Sequence, residues 1–241
     1  MASIDPGYDL STTTYSPDGR MLQIEYASKV VCKSPVIIGL VCKDGIVIVA
    51  EIKNENTNQI FDHLNRIFQL NKYTSIGTSG NLGDVHFVLE RSRFDNRNYQ
   101  KNFSDILTGK LIVYRICSFL HLYTLYWHIR PLACSLIIGT ISTCSLELYL
   151  VLLTGFFTKC FGCAVGENSE LIKTSLETLL IRSLSCRKNI ESIIRILKNS
   201  KTNEKIRKLE IFWFTKENFF FDKSISCNLI NESLRLGKVL E

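Results

Sequence analysis

Proline is scarce in this sequence, with four in 241 residues, and the 13 glycines are spread along its length without forming a Gly/Ser- or Pro-rich stretch. With no linker composition and no internal repeat, the expectation is a single domain over residues 1–241. Histidine is equally rare: His63, His86, His121 and His128 lack the spacing of metal ligands and read as surface or packed residues, so no metal is expected. Several motifs are missing as well. "GTSGNLGD" carries Gly77, Gly80 and Gly83 but not the Lys-Ser/Thr that grips phosphate, and neither G-x-S-x-G nor H-E-x-x-H occurs. No cofactor is expected. The opening "MASIDPGYDL" has no basic-then-apolar leader. Charge of one sign is lacking too: 29 basic against 23 acidic residues leave +6, and the one dense basic patch, "KTNEKIRKLE" at 201–210, mixes signs. That is the pattern of a solvated face, with no nucleic-acid partner implied.

What is present is a hydrophobic content of 46% beside 22% charge, enough for a packed globular core. Nine cysteines, an odd number without a short metal-type repeat, fit a reducing compartment, cytoplasm or nucleus, with free buried thiols. Cys160 and Cys163 in "KCFGCAVG" have redox or zinc spacing, but no second pair or histidine accompanies them, and the reading is packed apolar thiols. The run from Leu132 to Phe157 is long enough to cross a membrane. Thr140, Ser142, Thr143, Cys144, Ser145 and Glu147 interrupt it, however, and no positive clusters flank it, so it reads as two buried strands turning at "ISTCS", with no membrane partner.

Along the chain, the first 15 residues are polar and expected to be an extended or mobile tail. "SPDG" at Ser16–Gly19 suits a type I turn, or a helix cap with Pro17 in the first turn. Met21, Ile24, Ala27 and Val31 then recur at helical spacing, ending near Lys33 and Pro35. Two β-rich runs, Val36–Cys42 and Ile46–Glu51, join through Lys43-Asp44-Gly45 as a hairpin. After the polar loop "KNENTNQ" a second hairpin turns at Asn71-Lys72. Helical periodicity covers Leu82 to about Gln100 and Ser104 to about His128, and the apolar hairpin follows. "FTKCFGCAVG" reads as one strand. Helices over Ser169–Leu184 and Lys188–Leu197, a strand pair in "KLEIFWFT" and "NFFF", and a helix over Asn228–Val239 complete the chain. Strand groups alternating with helix pairs imply antiparallel sheets inside and helices outside.

"GYDLSTTTYSPDGRMLQIEYASKVV" resembles the N-terminal signature of α-type subunits of the proteasome core particle, and "KDGIVIVAE", "TSGNLGD", "LYTLYWHIRPLACSLIIG" and "GCAVGENS" extend the resemblance over most of the chain. The resemblance implies an α+β fold: a four-layer αββα sandwich of the N-terminal nucleophile hydrolase type, with a turn and N-terminal helix over residues 16–33, the helix from Arg20 lying across its cleft. In catalytic β-type relatives a processed N-terminal threonine opens the first core strand and uses its own amine as base. Here Pro35 stands at that place, without a hydroxyl. Glu51 represents the acid ending the second strand, and Arg66 the cation before the third, a poor replacement for a tunable lysine. No catalytic residue is therefore expected. The alternative is a threonine hydrolase using Thr12, Thr13 or Thr14, but these precede a turn and a helix, and Ser11 rather than Gly stands before Thr12.

The same resemblance implies a structural and gating role in a seven-membered α ring with other α-type subunits, stacked on a β-type ring and met by activator C-termini, in cytoplasm and nucleus. Tyr8, Asp9, Pro17 and Tyr26 match the gate cluster, although Tyr26 also reads as a packed helix aromatic. Arg66, with Asn65 beside it and Gly80 on the floor, matches the pocket for an activator's terminal carboxylate; Arg66 also reads as a solvated strand-end cation. Departures from the family pattern are the loop "KNENTNQIFDHL", Glu167 where lysine is common, and the absence of an acidic C-terminal tail.

Overall fold

The computed structural model describes residues 7–52, 65–142, 145–178, 184–200 and 208–215. The two β-branched runs after Pro35 form the expected hairpin: β1 (Ile37–Val41) and β2 (Gly45–Ile52) pair antiparallel, with Ile37 opposite Ala50 and Val41 opposite Ile46. Every residue of both strands is buried, so both faces of this sheet must be covered. The two-residue period sorts the side chains. Ile37, Val41, Ile46, Ile48 and Ala50 enter one core, while Ile38, Leu40, Val47 and Val49 enter another.

The second hairpin comprises β3 (Ile67–Asn71) and β4 (Thr74–Gly80), with a register shift between Gln69 and Asn71. Asn81 caps the helix that follows, α2 (Leu82–Phe103), its side chain accepting from the Gly83 N–H at 3.0 Å. Ser104, expected to open the next helix, instead ends this one: it is left-handed, with φ 54°, and its N–H returns to the Gln100 carbonyl. The next helix, α3 (Gly109–Leu125), starts only after Thr108. The apolar run then forms β5 (Cys134–Ile141) and β6 (Leu146–Val151), paired from Leu136–Val151 to Ile141–Leu146. Among the described residues no helix is long and apolar enough to cross a membrane.

The single strand expected over "FTKCFGCAVG" is two. β7 (Phe157–Cys160) pairs with β6, whereas β8 (Gly162–Val165) pairs with β1. The chain changes sheets at Phe161, whose carbonyl accepts from the Val41 N–H at 2.8 Å. Period-two patterning looks alike on either side of such a crossing, because it records burial and not the identity of the partner strand. α4 (Ser169–Glu177) is shorter than the span to Leu184, ending where the Thr178 hydroxyl bonds back to the Ser175 carbonyl. α5 (Cys186–Asn199) and β9 (Lys208–Thr215) complete the described elements. The "KNENTNQ" loop, most of the 201–210 patch, "NFFF" and the helix over Asn228–Val239 lie outside the described residues.

Two sheets result, ordered β8-β1-β2-β9 and β3-β4-β5-β6-β7. Between them lies the core of Ile37, Ile48, Ile137, Leu148 and Phe214. α2 and α3 cover the outer face of the five-stranded sheet through Val85, Leu89, Ile116 and Leu120, and α4 and α5 cover the other through Ile172, Ile190, Ile193 and Leu197. This is the αββα sandwich. Each of these wholly buried aliphatic side chains contributes about 1.5–3 kcal/mol relative to exposure. The sheets approach closely enough that a Cβ on Gly39 would stand 2.7 Å from the Ile137 Cγ2 atom, so a side chain at this position of β1 would displace the facing Ile137 and Leu148 side chains.

Candidate functional site

The helix α1 (Leu22–Cys32) explains one open end of the sandwich. Its Ala27 and Val31 are buried in the core between the sheets, so the apolar spacing seen in the sequence serves to plug the cleft. Directly after it come Ser34, held by a bond from its hydroxyl to the Val30 carbonyl, and the buried Pro35. The Pro35 carbonyl accepts from the Ser79 hydroxyl at 3.2 Å. Pro35, which the resemblance sets at the nucleophile's place, itself carries neither hydroxyl nor thiol.

Around Pro35 the polar groups are buried and bonded. Arg66 is only 9% exposed; its Nη1 donates to the Gly80 carbonyl at 2.7 Å, and its backbone N–H donates to Glu210 Oε2 at 2.8 Å. Burial pushes the Arg66 guanidinium down from its ordinary value, and the Glu210 carboxylate opposes that shift. The structure thus brings Arg66 and Gly80 together but does not leave the guanidinium free in solvent at a strand end, which corrects that reading of it. Glu51 is 2% exposed at the end of β2. Gly80 has φ +121°, and a Cβ there would lie 2.1 Å from the Ala133 carbonyl oxygen, so glycine is required.

One pair escaped the sequence reading. Asp84, on the first turn of α2, accepts from Arg130 Nη1 and Nη2, at 2.7 and 2.5 Å, and also from the Ala133 N–H at 2.9 Å. It ties "TSGNLGD" to "HIRPLACS". Burial pushes the Asp84 carboxyl up, but the Arg130 bond, the Ala133 N–H and the Arg130 charge outweigh it, so the group is held below the usual carboxylate range. The only signal in the sequence was that both residues fall inside distinctive motifs.

The tail reaches this body by a few ties. Ser16–Gly19 is the turn rather than a helix cap, with the Gly19 N–H bonded to the Ser16 carbonyl at 2.8 Å, and the helix begins after Met21. Pro17 is exposed in that turn. The Gln23 amide donates to the Asp9 carbonyl. Tyr26, 42% exposed, lies one turn further along α1, with the Lys29 ammonium 5.5 Å from its ring centre. Tyr8 and Asp9 are half-buried, and among the described residues no hydrogen bond joins the Tyr8, Asp9 and Tyr26 side chains to one another. The expectation of an extended or mobile tail over residues 1–15 needs correction at Thr12. Thr12 is 3% exposed, and its hydroxyl donates at 2.6 Å to the carbonyl of Tyr126, the C-cap of α3. A helix end has spare carbonyls to offer, and this one pins the tail. It also commits the Thr12 hydroxyl. Thr13 and Thr14 are exposed.

Comparison with known proteins decides the family. The family model described as "Proteasome subunit" matches residues 33–212, and the model of the N-terminal signature of A-type proteasome subunits matches residues 8–29. The chain belongs to the proteasome subunit family, on its α-type branch. The alpha type-3 proteasome subunit of Spinacia oleracea is 32% identical, over 97% of this chain and 94% of its own. The alpha type-3 subunit of Arabidopsis thaliana is 31% identical over 99% and 96%. The alpha proteasome subunit of Methanocaldococcus jannaschii is 26% identical over 83% and 76%. In this α-type subunit the signature coincides with the tail, the turn and α1, the segment that plugs the cleft.

Proposed function

We propose that the chain is a non-catalytic structural and gating subunit of the α ring of the proteasome core particle, seated among other α-type subunits in a ring of seven and stacked on a β-type ring whose threonine peptidases do the cutting. The observation that carries this reading is the pairing of α1, buried through Ala27 and Val31 in the inter-sheet core, with Pro35 at the head of β1. A cleft filled by a helix and led by proline can serve as a wall but not as an active site. The tail cluster Tyr8, Asp9, Pro17 and Tyr26 is the gate element, and cytoplasm and nucleus are its place of work. Purification of the tagged chain from its native source should return a particle containing other α-type and β-type subunits, with Thr12–Thr14 internal in the intact mass. A monomeric chain, or labelling of Thr12, Thr13 or Thr14 by a threonine-directed covalent inhibitor, would overturn it.

The Arg66–Gly80 contact forms the base of the pocket for an activator's C-terminal carboxylate. A guanidinium can bond the Gly80 carbonyl with one nitrogen and still offer other N–H groups to a carboxylate. Arg66→Ala should then weaken activator docking at this interface by about 1.5–3 kcal/mol, the scale of a hydrogen bond to a charged group. Docking that is indifferent to the substitution in an intact particle would remove the pocket from this subunit.

A further inference from the structure

The crossing from one sheet to the other at Phe161 separates two cysteines, Cys160 on β7 and Cys163 on β8. β7 and β8 are each the edge strand of their sheet, and they are consecutive in the chain. Cys163 pairs with Gly39 of β1 and Cys160 with Leu148 of β6, and a Cβ on Gly39 would stand 3.2 Å from a Leu148 methyl, so the bend sets both cysteines against the same inter-sheet core, Cys163 within it and Cys160 packed on it. Their environments differ. Cys160 is half-buried, and its Sγ lies 3.9 Å from the Leu148 carbonyl; Cys163 is 3% exposed in the inter-sheet core. Both are free thiols, as are all the described cysteines. We propose that Cys160 and Cys163 form an oxidisable dithiol, a modification site at which a hydroperoxide converts the pair into a disulfide that staples the edge of one sheet to the edge of the other.

The roles follow from exposure. Cys160, the more exposed of the two, is the thiol that a small oxidant can reach, and the neighbouring Cys163 thiol holds it below the ordinary thiol value, with the Lys173 charge acting in the same direction. Cys163 is pushed up by the neighbouring Cys160 thiol and by burial. The Cys160 thiolate attacks one oxygen of hydrogen peroxide, the O–O bond breaks, and the sulfur becomes a sulfenic acid as hydroxide leaves and takes the thiol proton as water. Cys163 then attacks the Cys160 sulfur; the S–S bond forms, the S–O bond breaks, and its proton leaves with the hydroxyl as a second water. Two thiols and one peroxide yield one disulfide and two waters.

Other thiols in the molecule act as internal controls. Cys42 and Cys186, at the end of β1 and the first turn of α5, share one buried core cluster, but they are 4% and 2% exposed. Burial pushes Cys117 and Cys134 up to about 12. Cys32 is exposed but has no thiol neighbour among the described cysteines, so it can be alkylated without forming an internal bridge. Selectivity for the 160–163 pair is therefore built from access and proximity together.

Trypsin cuts after Lys159 and Lys173, so both cysteines fall in one peptide, CFGCAVGENSELIK. The full-length reduced chain is treated with hydrogen peroxide, blocked with N-ethylmaleimide, unfolded, blocked again and digested. The expected product is this peptide lighter by two hydrogens, without maleimide, and restored to double alkylation by prior reduction, while the peptides of Cys42 and Cys186 remain alkylated. Cys160→Ser should abolish the bridge and leave Cys163 alkylated only after unfolding. Phenylarsine oxide, which bridges neighbouring thiols without any oxidation, should bind the reduced wild-type chain and protect the same peptide from alkylation, and should lose that protection in Cys160→Ser. Full double alkylation after peroxide, oxidation of Cys160 to a sulfinic acid beside an unmodified Cys163, or a disulfide linking either residue to a different cysteine would each overturn the proposal.

Discussion

The closed end of the cleft and the N-terminal tail lie next to each other and are built on opposite terms. Around Pro35 the polar side chains are removed from water: Arg66, Ser79 and Asp84 are 9%, 1% and 5% exposed, and each bonds a backbone group of another segment. The tail is mostly wet, with Leu10 82% and Tyr15 64% exposed, and it is held by Thr12, Ser16 and Gln23. Buried polar groups need protein partners, because water is not there to replace them. Exposed ones do not, so a segment held by a few bonds can be repositioned at small cost while the wall behind it stays put. The gating role proposed above requires that division between a fixed frame and a loosely attached leaf.

The comparison can be broken most violently at Gly80. Gly80→Ala would force a Cβ to within 2.1 Å of the Ala133 oxygen at a φ of +121°, and the unfolding free energy of the purified chain should fall by about 3 kcal/mol or more. Tolerance of alanine would mean that this end is less tightly built than the geometry says. Arg130→Ala comes next. It strips the charge partner from a buried carboxylate and should cost about 2 kcal/mol at neutral pH.

The pH dependence of that loss has a definite sign. The Asp84 carboxyl is held below its ordinary value in the folded chain, so its contribution is present above the unfolded value of about 3.9 and is lost as pH falls through the folded value. Without Arg130, burial is opposed by less, the folded value rises, and acid unfolding should begin at a higher pH in the variant. Urea titrations of both proteins from neutral pH down to about pH 2 measure this; coincident acid limbs would show that Arg130 does not govern the carboxyl.

Smaller effects belong to the tail. Thr12→Val removes one hydrogen bond to the Tyr126 carbonyl and should cost about 1 kcal/mol, read as a modest drop in Tm. Deleting residues 2–10 should leave the Tm of the chain almost unchanged, because the deletion ends before Thr12 and keeps its anchor. In the assembled particle the same deletion should raise peptide entry without altering assembly. A large loss of stability on deletion, or unchanged peptide hydrolysis, would erase the distinction between leaf and frame.

Much of the frame was legible in the residues. The two β-rich runs of "VIIGLVCKDGIVIVAE" around Lys43-Asp44-Gly45 and the polar break in the apolar run predicted both hairpins, and Met21, Ile24, Ala27 and Val31 predicted α1. Such patterns are local: they record which face of an element is dry. The Asp84–Arg130 pair was not legible, since the partners stand 46 positions apart and a charge carries no mark of its future neighbour. The anchoring of Thr12 was hidden for the same reason, because its acceptor is a carbonyl at the end of α3.

By itself, then, the sequence determined the type of most of the described elements, a proline at the head of the first strand and the family, all of which depend on residue identity and short-range periodicity. Only the tertiary structure decided that β7 and β8 belong to different sheets, that Cys160 and Cys163 meet across that boundary, that Arg66 turns inward to Gly80, and that Thr12 is anchored. Those are choices of partner, made by which surfaces close on which once the core between the sheets is packed, and a one-dimensional pattern of dry and wet positions leaves them open.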